Sequence, residues 1–233
     1  MVEQSLRGNI ARVHERIDVA KRRAGRTDTV TLVAVSKTQG AETVASAYRD
    51  GLHIFGENRV EEAGPKVAAV AELVAPLPSP QWHMIGHLQS RKATAVLPWA
   101  ALVHSVDSPK LASRLSRAVA PGQQLAVLLE VNVSGEASKD GLAPAALAGA
   151  VEAIVELPGL RIEGLMTMAP LAEDPEETRP VFRQLRLLRD EMARRYPAAS
   201  WRHLSMGMSD DFEIAIEEGA TLVRIGRAIF GAR

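Results

Sequence analysis

Eight times along this chain a short apolar run is cut off by polar residues, and after all but the last an amphipathic stretch of helical length follows. The runs lie at residues 30–37, 52–55, 82–85, 102–105, 125–133, 160–166, 201–205 and 222–225. The first, VTLVAVSK, is continuous and β-branched, as expected of a strand buried on both faces. Helical patterns fill residues 43–50, 60–74, 109–120, 144–157, 175–196 and 210–218, with a weaker one at 89–97. Strands that alternate with helices pair in parallel. Eight such units within 233 residues have the size and rhythm of a single α/β domain, a closed (β/α)8 TIM barrel. An open doubly wound sheet is the other arrangement the alternation permits. Ahead of the first strand, Leu6, Ile10, Val13, Ile17 and Ala20 recur at three- and four-residue steps, which predicts an extra N-terminal helix over residues 2–24, stopped at Gly25. No linker divides the chain, and the proline-rich residues 76–80 read as a loop, so one domain is expected over residues 1–233.

Composition excludes several function classes. Hydrophobic residues make up 46% and charged residues 24%, which suits a packed core rather than disorder. Lys plus Arg equals Asp plus Glu at 28 each, so there is no basic excess to favour nucleic acid or an anionic membrane as a partner. The absence of cysteine removes disulfides, thiolate metal sites and cysteine nucleophiles. The first 26 residues are too charged for a signal peptide, and no apolar run nears the ~20 residues that span a bilayer. A soluble cytoplasmic protein is expected.

In such barrels chemistry sits at the C-terminal ends of the strands. The residues ending the apolar runs are Ser36 and Lys37, Glu57 and Asn58, His83 and His87, Ser105, Asn132, Met166 and Thr167, Ser205, and Arg224 with Gly226. Lys37 closes a wholly apolar strand. An amine desolvated at an apolar mouth favours its neutral form, which can form a Schiff base with an aldehyde. The plainer alternative is a lysine that snorkels outward or pairs with Glu57. Two glycine-bearing loops, HLSMGMSDDFEIAIEEG from His203 and VRIGRAIFG from Val223, follow strands seven and eight, where such barrels often bind phosphate. There Ser209 is placed to cap a helix beginning near Asp210, and Arg227 to offset the acidic pair Asp210 and Asp211. Ordinary turns and a helix cap would leave the same trace. Arg224, two residues before Gly226, would keep a pyridine nitrogen above it unprotonated, or else pair with a carboxylate. Glycine and strand between His83 and His87 break helical spacing, so that pair is not read as a metal site. His104 and the two methionines of GLMTMAP read as packing, Glu57 as orienting Arg59 or an amide, Lys139 as solvent-exposed, and the charges of 179–195 as a solvated helix face.

Taken together, VAVSK, FGEN, WHMIGHLQ, VNVSGEASKDG, GLMTMAP, HLSMGMSDDFEIAIEEG and VRIGRAIFG closely resemble the pyridoxal 5′-phosphate homeostasis protein family, in order and over nearly the whole chain. The resemblance implies a barrel similar to the N-terminal domain of alanine racemase. It implies pyridoxal 5′-phosphate held covalently by Lys37, its phosphate near Ser205, Gly207, Gly226 and Arg227, Arg224 near the pyridine nitrogen, and Asn58, His83 and Met166 lining the pocket. The family often has threonine where Arg227 stands, and a second lysine where Gln39 stands. Lys139 matches a lysine of the family's SGEASK-like loop.

Two functions compete on this reading. One is a non-catalytic carrier that stores, buffers or delivers the cofactor, with cofactor-accepting apoenzymes as partners. The other is a small amino-acid racemase dependent on the same cofactor. Racemisation needs proton donors on both faces of the α-carbon. Lys37 serves one; Tyr48 and Tyr196 are the only tyrosines and are expected on helices away from the rim. No second domain is expected after the eighth unit to supply another, which also favours a monomer. A partner-binding signalling role is a third, weaker class. The carrier is the favoured reading.

Overall fold

The computed structural model describes residues 5–231; residues 2–4 of the expected first helix lie outside them. Among the described residues, eight parallel strands close into a barrel in chain order: β1 (Thr31–Val35), β2 (Ile54–Glu57), β3 (Gln81–Met84), β4 (Ala100–Val106), β5 (Leu125–Glu130), β6 (Leu160–Met166), β7 (His203–Ser205) and β8 (Leu222–Ile225). Closure is made where β8 pairs with β1, from Thr31↔Leu222 to Ala34↔Ile225. The open sheet that the alternation also permitted is thereby ruled out. At the neighbouring β7–β8 seam the ladder is short, and Thr221 reinforces it: its amide donates to Leu204 O at 3.0 Å and its Oγ1 accepts from Leu204 N at 2.9 Å.

The outer ring comprises α1 (Leu6–Arg23), α2 (Ala41–Arg49), α3 (Val60–Val74), α4 (Pro109–Ala118), α5 (Leu147–Ile154), α6 (Arg179–Arg195), α7 (Phe212–Glu217) and α8 (Arg227–Phe230). Two expected helices start later than their patterns, because proline opens each with a 3-10 turn, Pro144–Ala146 and Pro175–Thr178. The weak pattern at 89–97 is a 3-10 segment, Ser90–Val96. A short helix, α8, follows the last strand where none was expected. The helix α1 is capped by Ser5, whose Oγ accepts from Gly8 N at 3.2 Å, and carries Lys21, Arg22 and Arg23 in its last turn, where positive charge suits the helix dipole. It lies over α7 and α8: Arg16 grips Glu213 at 2.7 Å and stacks on Phe212, and Asn9 Nδ2 donates to Ile229 O.

Apolar residues occupy two layers. Val33, Ile85, Leu102, Leu128, Met166 and Leu222 fill the barrel interior, while Phe55, Phe182, Phe212, Leu111 and Leu147 pack between strands and helices. The charges of α6 are more than a solvated face: Arg179, Arg183 and Arg186 converge on buried Glu218 at the end of α7, and their hydrogen bonds and charges outweigh burial to lower its pKa. No helix of the described residues is long and apolar enough to cross a membrane.

Strand β6 meets β7 at a point only glycine fits. A Cβ on Gly164, at φ 145°, would stand 1.9 Å from His203 O. Gly51 shares the left-handed φ but faces open space. Gly51→Ala should therefore destabilise by about 1 kcal/mol, the steric penalty of that conformation. Gly164→Ala should cost about 3 kcal/mol or more, because the strands must also separate. Denaturant titration of both variants checks this; equal losses would refute the close-approach argument.

Candidate functional site

The end of β1 turns sharply: Gln39 N donates to Ser36 O at 3.0 Å, and Thr38 adopts φ 67°. Lys37 stands in this turn, exposed, with no ion pair among the described residues. The expected desolvation at an apolar mouth is thus not what sets Lys37 apart; the strand ends at Val35 and the amine projects from the turn beyond it. Pairing with Glu57 is also ruled out. Glu57 is fully buried, and its Oε1 accepts from Lys66 Nζ at 2.7 Å and Ser36 Oγ at 2.8 Å. Neither Arg59, which pairs with Glu62, nor an amide is its partner. Lys66, on α3, also donates to Ser36 O at 2.9 Å, so one ammonium clamps the turn that carries Lys37.

Beside the turn lies a cavity of about 350 Å³ lined by Lys37, Thr38, Asn58, Arg59 and Glu62. Asn58 Oδ1 is itself buried, with no hydrogen-bond partner among the described residues. An unsatisfied buried carbonyl costs about 1–3 kcal/mol.

Beneath the mouth, polar side chains run across the barrel interior. Arg224 NH1 donates to Ser205 Oγ at 2.6 Å and NH2 to Thr167 O at 2.9 Å. Ser205 Oγ lies 2.8 Å from His104 Nδ1, and His104 Nε2 lies 2.9 Å from His83 Nδ1. Guanidinium only donates, so Ser205 Oγ accepts from Arg224; among the described residues the Ser205 proton has no acceptor other than His104 Nδ1, and the arrangement that leaves no hydroxyl proton unsatisfied follows. Ser205 accepts from Arg224 and gives its proton to His104 Nδ1; His104 carries its proton on Nε2 and gives it to His83 Nδ1. Both imidazoles are neutral in this chain. Burial pushes His104 well below the usual range and His83 down to about 4, with nearby positive charge adding to both. Burial also lowers Arg224 to about 10, against the pull of Glu130 and Asp211, so it stays charged at neutral pH.

Several expected residues therefore hold places other than those read from the sequence. Ser205 is fully buried with its hydroxyl committed to Arg224 and His104, not presented to a rim phosphate. Gly207, at φ 91°, is glycine because a Cβ would meet Ala215 Cβ at 2.6 Å, so it serves the packing of α7. His83 borders a cavity of about 190 Å³ at the opposite, N-terminal end of the barrel, with Gln81, Arg161, Arg202 and His203. Met166 is buried in the interior layer. Ser209 does not cap α7; its Oγ accepts from Ala228 N at 3.3 Å and ties the β7 loop to the first turn of α8, beside Gly226 and Arg227. Arg227 pairs with Asp210, and Asp211 turns back to accept from Met208 N at 2.6 Å. Lys139 is not free in solvent: it pairs with Glu136 and reaches Met168 O. Sequence reasoning missed Lys66, which lies mid-helix with no motif to signal it, and the juxtaposition of Ser209 with α8, which the pairing of β7 with β8 creates.

The family described as alanine racemase, N-terminal domain, matches residues 9–233. A pyridoxal phosphate homeostasis protein of Aquifex aeolicus is 46% identical over 226 residues, covering 96% of this chain and 96% of that protein. One of the same description from Pseudomonas aeruginosa is 47% identical over 227 residues, covering 97% and 94%. PipY of Synechococcus elongatus, solved with PLP bound, superposes with a TM-score of 0.80 at 37% identity, over 93% of this chain and 99% of its own.

The buried histidines predict a pH dependence. His83 titrates at about 4 when folded and near the ordinary imidazole value when unfolded. The unfolded chain thus binds the extra proton, and the stability this group contributes is full above about pH 6.5 and is lost as pH falls toward 4. From pH 7 to pH 5 the unfolding free energy should drop by about 2 kcal/mol on this account alone. Urea titrations at both pH values should show the loss, and His83→Gln should lessen it. An unchanged difference in the variant would refute the assignment.

Proposed function

This chain belongs to the pyridoxal phosphate homeostasis protein family, on the alanine racemase N-terminal domain fold, and from that premise we propose that it binds pyridoxal 5′-phosphate and serves homeostasis of the cofactor by storing, buffering or delivering it. The observation that carries the reading is the unpaired amine of Lys37 beside a cavity with an orphaned acceptor, Asn58 Oδ1, on the barrel that also holds a buried permanent cation, Arg224. These residues fit the group: an amine for its aldehyde, a guanidinium for its ring nitrogen, and the Ser209 hydroxyl at the start of α8 for its phosphate. When bound, the cofactor supplies an aldehyde that amines capture and a ring that draws electrons from a neighbouring carbon.

In this reading Lys37 is the capturing amine, and Lys66, Ser36 and Glu57 hold its turn in place. Asn58 accepts a hydrogen bond from the ligand. Arg224 faces the ring nitrogen as a donor that keeps its proton, with Ser205, His104 and His83 fixing its direction from behind. Met166 closes the floor. The phosphate is assigned to the start of α8 at Gly226 and Arg227 with Ser209, and Gly207 shapes the loop that brings Ser209 there. The whole of residues 1–233 forms one cofactor-binding domain, working as a cytoplasmic monomer that passes cofactor to apoenzymes.

The protein is proposed to lack strong catalytic activity. A racemase needs a second proton donor opposite Lys37. Tyr48 OH donates to Pro78 O, and Tyr196 OH bonds Ala148 O and Glu152, so both tyrosines are engaged among the helices. Arg224 withholds the proton that would make the ring a strong electron sink.

Lys37→Ala should abolish both the absorbance band near ~420 nm and the borohydride-stable adduct. An adduct persisting on another lysine, identified by peptide mapping, would reject the assignment. Ser209→Ala and Gly226→Val should each weaken cofactor retention roughly five- to 150-fold, the equivalent of about 1–3 kcal/mol, with pyridoxal lacking the phosphate bound poorly by all forms. Incubation of the loaded protein with L-alanine or L-serine should give no turnover near ~1 s⁻¹. Saturable turnover at that rate, lost in Lys37→Ala, would establish the racemase instead.

A further inference from the structure

At the N-terminal end of the barrel, away from the Lys37 turn, two strands each carry one residue more than the neighbour they pair with. Glu163 is the extra residue of β6, where the pairing with β5 steps from Val127↔Ile162 to Leu128↔Gly164. Ala101 is the extra residue of β4, where the pairing with β3 steps from Trp82↔Ala100 to His83↔Leu102. A bulge gives up ladder pairing and re-aims a side chain. Both extra residues line the same cavity of about 190 Å³, together with His83, Arg161 and Arg202. That volume lies below the ~300–1,000 Å³ of pockets for drug-sized ligands, so its occupant is small. The N-terminal face of such barrels ordinarily serves stability, and this one holds a polar cavity instead.

Two of the lining side chains are nearly sealed from solvent, and each leaves one polar atom unmatched. Glu163 is 1% exposed. Its Oε2 lies 2.6 Å from Arg202 Nε and accepts from Ser200 Oγ at 3.1 Å. Its Oε1 faces Arg161 as an ion pair but has no hydrogen-bond partner among the described residues. His83 is 5% exposed. Its Nδ1 accepts from His104 Nε2, so its own proton sits on Nε2, which has no partner among the described residues. Around this buried acceptor and donor, Arg161 and Arg202 stand half open to solvent. Each meets Glu163 through one nitrogen, Arg161 through Nη1 and Arg202 through Nε, which leaves most of each guanidinium's N–H donors uncommitted. Burial lowers the pKa of His83 and of His203 beside it, so two guanidiniums face one carboxylate and the cavity keeps a net positive charge.

An occupant that satisfies these groups is an anion able to accept from several N–H donors and still give a proton to Glu163 Oε1. We propose that the cavity binds a small protonated oxyanion, with inorganic phosphate as its simplest member: Arg161, Arg202 and His83 Nε2 donate to its oxygens, and Glu163 Oε1 accepts from its hydroxyl. Guanidinium matches phosphate oxygens with paired donors. The carboxylate sets the selectivity. Phosphate still carries a proton at neutral pH, whereas sulfate carries none and would set an oxygen acceptor against Glu163 Oε1. Sites built to bond a hydroxyl reject the analogue that lacks it, because a buried polar group is then left unmatched. The cavity lies at the opposite end of the barrel from Ser209 and Gly226, so it is separate from the seat assigned to the cofactor's own phosphate.

The test uses the full-length protein loaded with cofactor, in a buffer free of phosphate and sulfate. Calorimetric titration with sodium phosphate should report one saturable site per chain, and sodium sulfate should bind roughly tenfold or more weakly. Arg161→Gln and Arg202→Gln should each weaken phosphate about tenfold or more. Glu163→Gln should bring sulfate up to the affinity of phosphate. Glu163 is buried, so circular dichroism checks that this variant folds; the two arginine variants, altered at half-exposed side chains, carry the test if it does not. Arg114→Gln, at an exposed position of α4, should leave binding unchanged. Absence of saturable binding would overturn the assignment, and so would binding indifferent to the arginine variants. Sulfate bound as tightly as phosphate by the parent would also overturn it, since two arginines would then be holding an adventitious ion only. Phosphate at this end depends on Arg161 and Arg202, and the cofactor on Lys37. The arginine variants should keep the absorbance band of the loaded protein, so the two readings fail separately.

Discussion

A guanidinium stripped of water must find its hydrogen bonds in the protein, and Arg224 sits fully inside the barrel. Its neighbours follow from that need. Ser205 and Thr167 O accept its hydrogen bonds, and Ser205, whose proton has no other acceptor among the described residues, gives it to His104, which sets the tautomers of His104 and His83 in turn. Two imidazoles that would titrate near neutrality in water are held neutral so that no second cation shares the interior. The compensating negative field comes from Glu130 and Asp211, neither of which touches the guanidinium in an ion pair. An exposed arginine would have imposed none of this.

The same charge divides the mouth. Along the β7, β8 and β1 ends stand Arg224, Arg227 and Lys37, with carboxylates either paired, as Asp210 is, or turned into backbone amides, as Asp211 is. Along the β3, β4 and β5 ends stand His87, Asp107, Glu130 and Asp140. Basic groups thus gather on the first arc and acidic groups on the second. The barrel keeps both in place because each residue is anchored to the end of a strand, and the strands are locked by closure.

Much of the architecture is legible in the chain because parallel strands buried on both faces must be continuous apolar runs. All eight runs became strands, and β6 and β8 kept their expected bounds. The boundaries that moved did so for local reasons: proline opened α5 and α6 with 3-10 turns, and β5 stopped at Glu130, where Asn132 folds the next loop back on itself. The site was less legible. Reading the last residue of each run picked out Lys37 and Asn58, which border one cavity, and Arg224, which lies inside the barrel, but it treated every such residue as facing the rim. Ser205 and His83 instead point inward one layer lower, and Gly207 answers to α7.

What the sequence by itself determined is therefore what depends on near neighbours along the chain: strand and helix rhythm, the barrel that eight such units imply, and the family signature of the loops. Tertiary structure alone decided the partnerships. Lys66 reaches Ser36 and Glu57 across α3, Ser209 meets α8 across the seam, His104 links residues from β3 and β7, and His87 meets Asp107 and Asp140. Periodicity says which residues share a face of one element. Which faces meet, and which polar groups must then satisfy one another, is set only when the strands close and water is excluded from between them.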